Sequence, residues 1–230
     1  MDGILRNLTY AFVYLDDILV ASRDPSQHKH HLRELFALLS AQGISINKKK
    51  CVFGQEQVKY LGHLVSAQGI APLPARVQSL LEFPPPSTKL ALQRFLGILN
   101  YYRRFIPRLA DKLTPLHTAL AGSGVKEKKK GKKEFLWTAP CEAAFREAKE
   151  ALASATLLHH PSPASPTALH VDASGEAIGA ELAQQDRGGS WRPVAFFSKG
   201  LTAAQRKYSA FDRELLAIYA SIKHLSLIHI

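Results

Sequence analysis

Short β-favouring apolar runs open the chain, and apolar residues at helical spacing dominate its middle. In Phe12-Val13-Tyr14-Leu15-Asp16-Asp17-Ile18-Leu19-Val20-Ala21-Ser22 two such runs flank a pair of carboxylates. The pattern predicts a hairpin with Asp16 and Asp17 at the bend. Asp2 to Leu8 reads as a short amphipathic helix. Ser22 to Ser26 reads as a turn and helix start, followed by Leu32, Leu35, Phe36, Leu38 and Leu39 at helical spacing up to a stop at Gly43. His28, His30 and His31 fall on its first turn as solvated surface, since their spacing is not expected to gather them on one face.

Ile44-Ser45-Ile46-Asn47 alternates like a strand, and Lys48-Lys49-Lys50 follow as a charged face. Val58 to Val65 is a second hairpin candidate, with Gly62 permitting close backbone approach. Pro72 and Pro74 mark a boundary, and a short helix over Arg76 to Phe83 is halted by Pro84-Pro85-Pro86. Ser87 or Thr88 caps a longer helix carrying Leu92, Phe95, Leu96, Ile98 and Leu99, and Tyr101-Tyr102-Arg103-Arg104 end it. After Trp137, Thr138 is the expected cap of a helix with Cys141, Phe145, Ala148 and Leu152 as its buried stripe. Thr167 to Gly175 reads as a buried strand ending in an Asp and a Gly turn, and Ile178 to Leu182 and Trp191 to Phe197 read as further strands. Thr202 then caps a helix whose face includes Tyr208, Phe211, Leu215, Ile218 and Tyr219.

With 230 residues and 46% hydrophobic content, the chain can bury a core of one large or two small domains. The net charge is +11, of which Val125 to Glu134, with six Lys against two Glu, supplies +4. The other +7 is spread over folded sequence and favours a polyanionic partner. That lysine stretch reads as a flexible, self-repelling linker, with a loop insertion preferred over a nucleic-acid contact or nuclear-import signal. Cys51 and Cys141 are far apart and outside any zinc-type spacing, so no disulfide framework or zinc site is expected. An intracellular, reducing setting is the default. No apolar run approaches the roughly 20 residues of a membrane helix, so a soluble protein is expected.

Two adjacent carboxylates at a hairpin tip repel each other, which a hard divalent cation would relieve, because Mg²⁺ is typically held by one or two carboxylates with substrate phosphates. The chemistry that suits the pattern is two-metal phosphoryl transfer. A solvated acidic turn is the competing reading, since Asp is common in turns.

The string Phe-Val-Tyr-Leu-Asp-Asp-Ile-Leu-Val-Ala-Ser resembles the catalytic hairpin of reverse transcriptases, above all those of gypsy-type long-terminal-repeat retrotransposons. Leu-Gly-Ile-Leu-Asn-Tyr-Tyr-Arg-Arg-Phe-Ile-Pro resembles the thumb of that family, and Trp-Thr with the following Ala-Phe and Ala-Leu its connection segment. Val-Asp-Ala-Ser with Arg-Glu-Leu-Leu-Ala resembles its ribonuclease H domain. The resemblance implies an α+β chain: distal palm over 1–71, helical thumb over 72–121, linker over 122–134, connection over 135–165, and the N-terminal half of a ribonuclease H-like domain over 166–230. Asp16 and Asp17 would be metal ligands, and Tyr14 and Leu15 would lie beneath the primer terminus. Tyr60, Leu61, Gly62 and His63 would form the primer grip, against an ordinary packed hairpin. Arg103 and Arg104 would meet the template and primer backbone, with helix packing the role expected of the neighbouring aromatics. Asp172 and Glu214 would be two ligands of the ribonuclease H metal site.

The implied cofactor is Mg²⁺, with Mn²⁺ as a substitute, and the implied partners are an RNA template, a DNA primer, an RNA-DNA hybrid and deoxynucleotides. The family's third palm Asp and its later nuclease carboxylates have no counterpart in this sequence, so the isolated chain is expected to extend no primer. The alternative function is a non-catalytic nucleic-acid-binding remnant of such an element. Leu225-Ser226-Leu227-Ile228-His229-Ile230 departs from the family pattern after His224 and matches one frame of a transposase end used in sequencing libraries, so these residues are expected not to be native.

Overall fold

The computed structural model describes residues 2–121 and 135–226; the expected lysine linker and residues 227–230 lie outside the described residues. The chain divides into two compact units, one ending at Tyr60 and the other beginning at Leu61.

In the first unit, helix α1 (Asp2–Leu5) leads into an antiparallel hairpin of β1 (Ala11–Tyr14) and β2 (Asp17–Val20). Pairing of Tyr14 with Asp17 leaves Leu15 and Asp16 as the two turn residues. The bend is therefore one residue earlier than expected, and Asp17 opens β2. Helix α2 (Pro25–Ala41) starts where the Asp24 side chain accepts from the Gln27 N–H and Pro25 presets the first turn, and it ends before Gly43 at φ 68°. Leu35 and Leu39 of α2 pack with Leu5 and Leu8 under Val13, Ile18 and Val20. The strand expected over Ile44–Asn47 does not form: Asn47 caps the 3-10 turn Lys48–Lys50 by accepting from the Lys49 N–H, an Asx preference that outcompetes extended pairing. The last element of the unit is β3 (Gln57–Tyr60).

His28 and His31 are not simply solvated. Three residues apart on α2, they share a face, and both Nδ1 atoms lie within hydrogen-bond reach of Ser22 Oγ, at 3.1 and 2.9 Å. His31 also stacks on Tyr10, whose hydroxyl donates to Glu34 at 2.6 Å.

The second unit begins with β4 (His63–Ser66) paired to β5 (Gly69–Pro72), a hairpin whose second strand the apolar pattern did not reveal. Gly69, at φ 149°, cannot carry a side chain, because a Cβ would stand 2.1 Å from the Leu158 carbonyl where Ile70 and Leu158 exchange backbone hydrogen bonds. Helix α3 (Pro74–Leu81) starts two residues before its expected onset, with Pro74 in its first turn. Thr88 caps α4 (Lys89–Tyr101), a 3-10 turn runs over Arg103–Phe105, and α5 (Leu109–Ala121) and α6 (Ala139–Ala153) complete the helical layer. The expected stripe of Cys141, Phe145, Ala148 and Leu152 is buried, and the Phe95 and Phe145 rings meet at 4.5 Å in a core that also takes Leu92, Leu99, Phe105, Ile106 and Leu116. Lys149 lays its ammonium over Phe145 and donates to the Phe83 and Leu81 carbonyls, which ties α6 to the end of α3.

A three-stranded antiparallel sheet follows in the order β6 (Thr167–Ala173), β7 (Ala177–Gln185), β8 (Trp191–Gly200). Strand β6 alternates between half-buried and exposed positions instead of being buried throughout: Leu169, Val171 and Ala173 pack on the core, while His170 and Asp172 between them are exposed. Helix α7 (Ala210–Leu225) is capped by Ser209, which accepts from the Asp212 N–H. The expected cap Thr202 serves the preceding 3-10 turn, accepting from the Gln205 N–H. The helix has two apolar stripes, and the sheet takes the small-residue one: Ala217, Ser221 and Leu225 are buried while Phe211 remains 72% exposed, with Leu215 and Tyr219 also outside. Close approach to a sheet favours the flatter face. Leu225 belongs to this core, so helical burial continues one residue past the expected break at His224.

Both cysteines are free thiols. Among the described residues no helix is long and apolar enough to cross a membrane. Phe95 is fully buried between α4 and α6, so Phe95→Ala is expected to destabilise the second unit by about 3–5 kcal/mol, read as a lower urea midpoint.

Candidate active site and nucleic-acid interface

The β1–β2 hairpin presents two different faces. Val13, Ile18 and Val20 pack on the core of the first unit, so strand alternation turns Phe12, Tyr14 and Asp17 outward. Tyr14 is 55% and Leu15 77% exposed, and Asp16 and Asp17 are exposed between them. Leu15 adopts φ 51°, the positive value a two-residue hairpin demands at its first turn position. For a branched side chain that is a strained conformation, of the kind that clusters at functional sites. Tyr60 lies against this hairpin: its hydroxyl donates to the Phe12 carbonyl at 3.2 Å, and burial first, then the negative charge of Asp17, raises its pKa. The structure thus brings Tyr14, Leu15, Asp16, Asp17 and Tyr60 together.

Leu61 and Gly62 form the turn after β3, at φ 45° and 72°. Two tyrosines at the end of α4 hold it: the Tyr101 hydroxyl donates to the Leu61 carbonyl and the Tyr102 hydroxyl to the Gly62 carbonyl at 3.1 Å. A Cβ on Gly62 would stand 3.1 Å from the Tyr101 hydroxyl, tight enough to shift the ring. His63 sits among Tyr101, Phe105 and Tyr102, with ring centroids 5.3, 5.4 and 5.8 Å away. Burial lowers its pKa, and the nearby Arg104 charge adds to that, against an opposing backbone hydrogen bond at Leu61. His63 is accordingly a packed side chain within this cluster.

The aromatics beside the arginines were expected to pack, and Tyr102 does, at 3% exposure. The sequence held no sign that both hydroxyls would clamp backbone carbonyls, because a helix-end Tyr reads only as amphipathic. Arg103 reaches Asn100 Oδ1 at 3.5 Å and His224 Nε2 at 3.4 Å. Arg104 is half-buried beside the Phe105 ring, and burial lowers its pKa.

Asp172 and Glu214 are not brought into a shared hydrogen bond or ion pair among the described residues. Leu169, Val171 and Ala173 face the cluster that includes Leu216, Ala217 and Ala220 of α7, so Asp172 points to the other face of β6. There its Oδ2 meets Arg108 Nη1 at 3.1 Å. Asp111 joins the group, taking Arg108 Nε at 3.4 Å and the Ser174 hydroxyl at 2.6 Å. Arg108, Asp111 and Ser174 were absent from the expected site; Ser174 closes the Val-Asp-Ala-Ser string, while no motif spacing marks Arg108 or Asp111.

Among the described residues no three His, Cys, Asp or Glu side chains stand close enough to hold a metal ion. The Asp16–Asp17 donor set nonetheless suits a hard cation: exposed carboxylate oxygens with no ion-pair partner among the described residues. The Asp172 set does not, since a guanidinium already faces the carboxylate.

Two family models match the chain: "Reverse transcriptase (RNA-dependent DNA polymerase)" over residues 1–65 and "RNase H-like domain found in reverse transcriptase" over 137–228. The retrovirus-related Pol polyprotein from transposon opus of Drosophila melanogaster is 36% identical over 98% of the chain, and the Tf2-3 transposon polyprotein of Schizosaccharomyces pombe is 33% identical over 94%. The chain spans 23% and 16% of their lengths. Foamy viral protease-reverse transcriptase structures share the fold: one in complex with double-stranded DNA at TM-score 0.83 and 24% identity, over 98% of this chain and 38% of that one. Another, with an RNA/DNA hybrid, gives 0.82 and 23%, over 97% and 29%.

A His whose native pKa lies below its unfolded value of 6.5 contributes stability that is whole above that pH and is lost as pH falls through the folded value. The second unit is therefore expected to lose stability below about pH 6.5. His63→Leu should flatten that limb in urea titrations, leaving a remainder from His117 and His224, which burial shifts the same way.

Proposed function

We propose, for a chain that belongs to the family of gypsy-type retroelement Pol polyproteins with reverse transcriptase and ribonuclease H-like domains, that Asp16 and Asp17 hold the divalent cation of an RNA-directed DNA polymerase. The observation that carries this is the hairpin tip, where two carboxylates without a cationic partner among the described residues stand on a strained, exposed turn. A bound Mg²⁺ or Mn²⁺ would supply charge stabilisation to phosphoryl transfer. Other side chains take the positioning roles. Tyr14 and Leu15 offer exposed apolar surface beneath the last primer nucleotide, and Tyr60 braces the hairpin through the Phe12 carbonyl. Leu61 and Gly62, clamped by Tyr101 and Tyr102, present a fixed backbone turn to the priming strand, with His63 as packing behind it. Arg103, at the chain's thumb signature, contributes positive charge toward the nucleic-acid backbone, and Arg104, more buried, contributes mainly to packing.

The partners proposed are a DNA primer on an RNA template, deoxynucleotides, and the hybrid duplex that results, in an intracellular setting. Net charge of +11 supplies the sequence-independent part of that affinity. Asp172 and Glu214 are candidates for the nuclease half by motif alone. The pairing of Asp172 with Arg108 favours a second reading for that half, a non-catalytic nucleic-acid-binding module.

In the chain itself, Mn²⁺ is expected to broaden the NMR signals of residues 14–18, and the Asp16→Asn/Asp17→Asn double variant should abolish this. In a Pol polyprotein carrying these residues, Asp16→Asn should lower primer extension by about 10²-fold or more. Unchanged extension would refute the assignment. Affinity for an RNA-DNA hybrid that does not weaken with added salt would count against the nucleic-acid partner.

A further inference from the structure

Arg108 stands between Pro107 and the first residue of α5, in a left-handed conformation at φ 52°. A long β-carbon-bearing side chain is disfavoured there, and the conformation persists only where surrounding contacts over-determine it. Those contacts converge on β6. The Arg108 side chain passes over Gly179, the cross-strand partner of Asp172, with its Cγ 3.7 Å from where a Cβ on Gly179 would stand. Its guanidinium then spans two carboxylates, Nη1 to Asp172 at 3.1 Å and Nε to Asp111 at 3.4 Å. Ser174, two residues after Asp172, closes the ring by donating to the other oxygen of Asp111 at 2.6 Å. One more tie runs parallel, from the Ala110 N–H to Ser198 Oγ on β8 at 2.9 Å.

We infer that Arg108 is the built-in counter-ion of Asp172, a positioning residue that holds this carboxylate on the α5 side of the sheet and competes with any divalent cation for it. This rests on the functional reading only in taking Asp172 as a candidate ligand. The guanidinium holds the Asp172 carboxylate through one of its oxygens, Oδ2. The ion pair is more than half exposed on both sides, 57% and 54%, so it is screened and cheap to open. Its consequence is therefore for occupancy of Asp172 rather than for the stability of the fold. A cation that takes both oxygens of Asp172 competes with Arg108 for Oδ2, whereas at Asp16 and Asp17 no described cationic side chain is paired with the carboxylates.

The test is a Mn²⁺ titration of the isotopically labelled chain, read as paramagnetic broadening of the backbone signals of residues 171–175. Arg108→Asn removes the guanidinium and substitutes a residue that tolerates positive φ, so the fold is retained, which an unchanged urea midpoint verifies. Arg108→Asn should tighten Mn²⁺ binding at Asp172 by about 3- to 5-fold. Arg108→Lys, which keeps the charge, should stay near the parent chain. Equal affinity in the parent and Arg108→Asn proteins, or no broadening at Asp172 in Arg108→Asn, would overturn the inference. Broadening of residues 14–18 in the same samples reports separately on the functional reading. Its absence there would sink that reading and leave the Arg108 comparison intact.

Discussion

Burial of Phe95 against Phe145 is the contact on which the second unit depends. It packs α4 on α6, and the polypeptide leaving α4 is carried by that packing. Tyr101 and Tyr102 come off the end of the same helix, Phe105 and Ile106 return into the same core fully buried, and Arg108 follows two residues later. The positions of the hydroxyls that hold Leu61 and Gly62, and of the guanidinium at Asp172, therefore follow from apolar packing several residues away. Polar groups in this unit are placed by a core that contains almost none. That suits a site whose chemistry needs fixed donors and acceptors, because a close-packed interior transmits position with little slack.

The two carboxylate sites differ in what neutralises them. At the hairpin tip, adjacent Asp16 and Asp17 stand in solvent, where high dielectric makes their repulsion tolerable. The cost of the arrangement is instead conformational and falls on Leu15. At Asp172 the compensation comes from the protein itself, through Arg108 and the hydrogen-bonded ring with Asp111 and Ser174. The first arrangement leaves its carboxylates to solvent, and the second pairs its carboxylate within the protein. A shared acidic motif is thus no guide to metal affinity until the neighbouring cations are placed.

What was legible in the sequence divides along the same line. Periodicity located α2, α4 and α6 and their buried stripes, because a 3.6-residue repeat records burial directly. It misassigned α7, where the larger apolar residues lie outside and Ala217 and Ser221 lie inside: a scale that ranks residues by hydrophobicity favours the bulky stripe, and close helix-on-sheet packing favours the small one. It also missed β5, whose Gly69 reads as a breaker but serves as the one residue that can pass beneath the Leu158 carbonyl. The β1–β2 hairpin was legible in the two β-favouring runs around Asp16 and Asp17, with its bend one residue out. The tyrosine clamps and the Arg108 ring were not, because both join residues dozens of positions apart and depend on side-chain reach.

The clamped turn also makes physical sense within its own unit. Tyr60 closes β3 against the Phe12 carbonyl, and the next two residues, Leu61 and Gly62, both take positive φ. A turn with two such residues needs outside support when the first is Leu, and the Tyr101 and Tyr102 hydroxyls provide it by occupying both of its carbonyl acceptors. With those oxygens satisfied from one side, the turn has less tendency to reorganise when something binds on the other. Phenylalanine would pack equally well at either position and would leave the carbonyls to water. The choice of tyrosine at both therefore reflects the turn it holds more than the helix it ends.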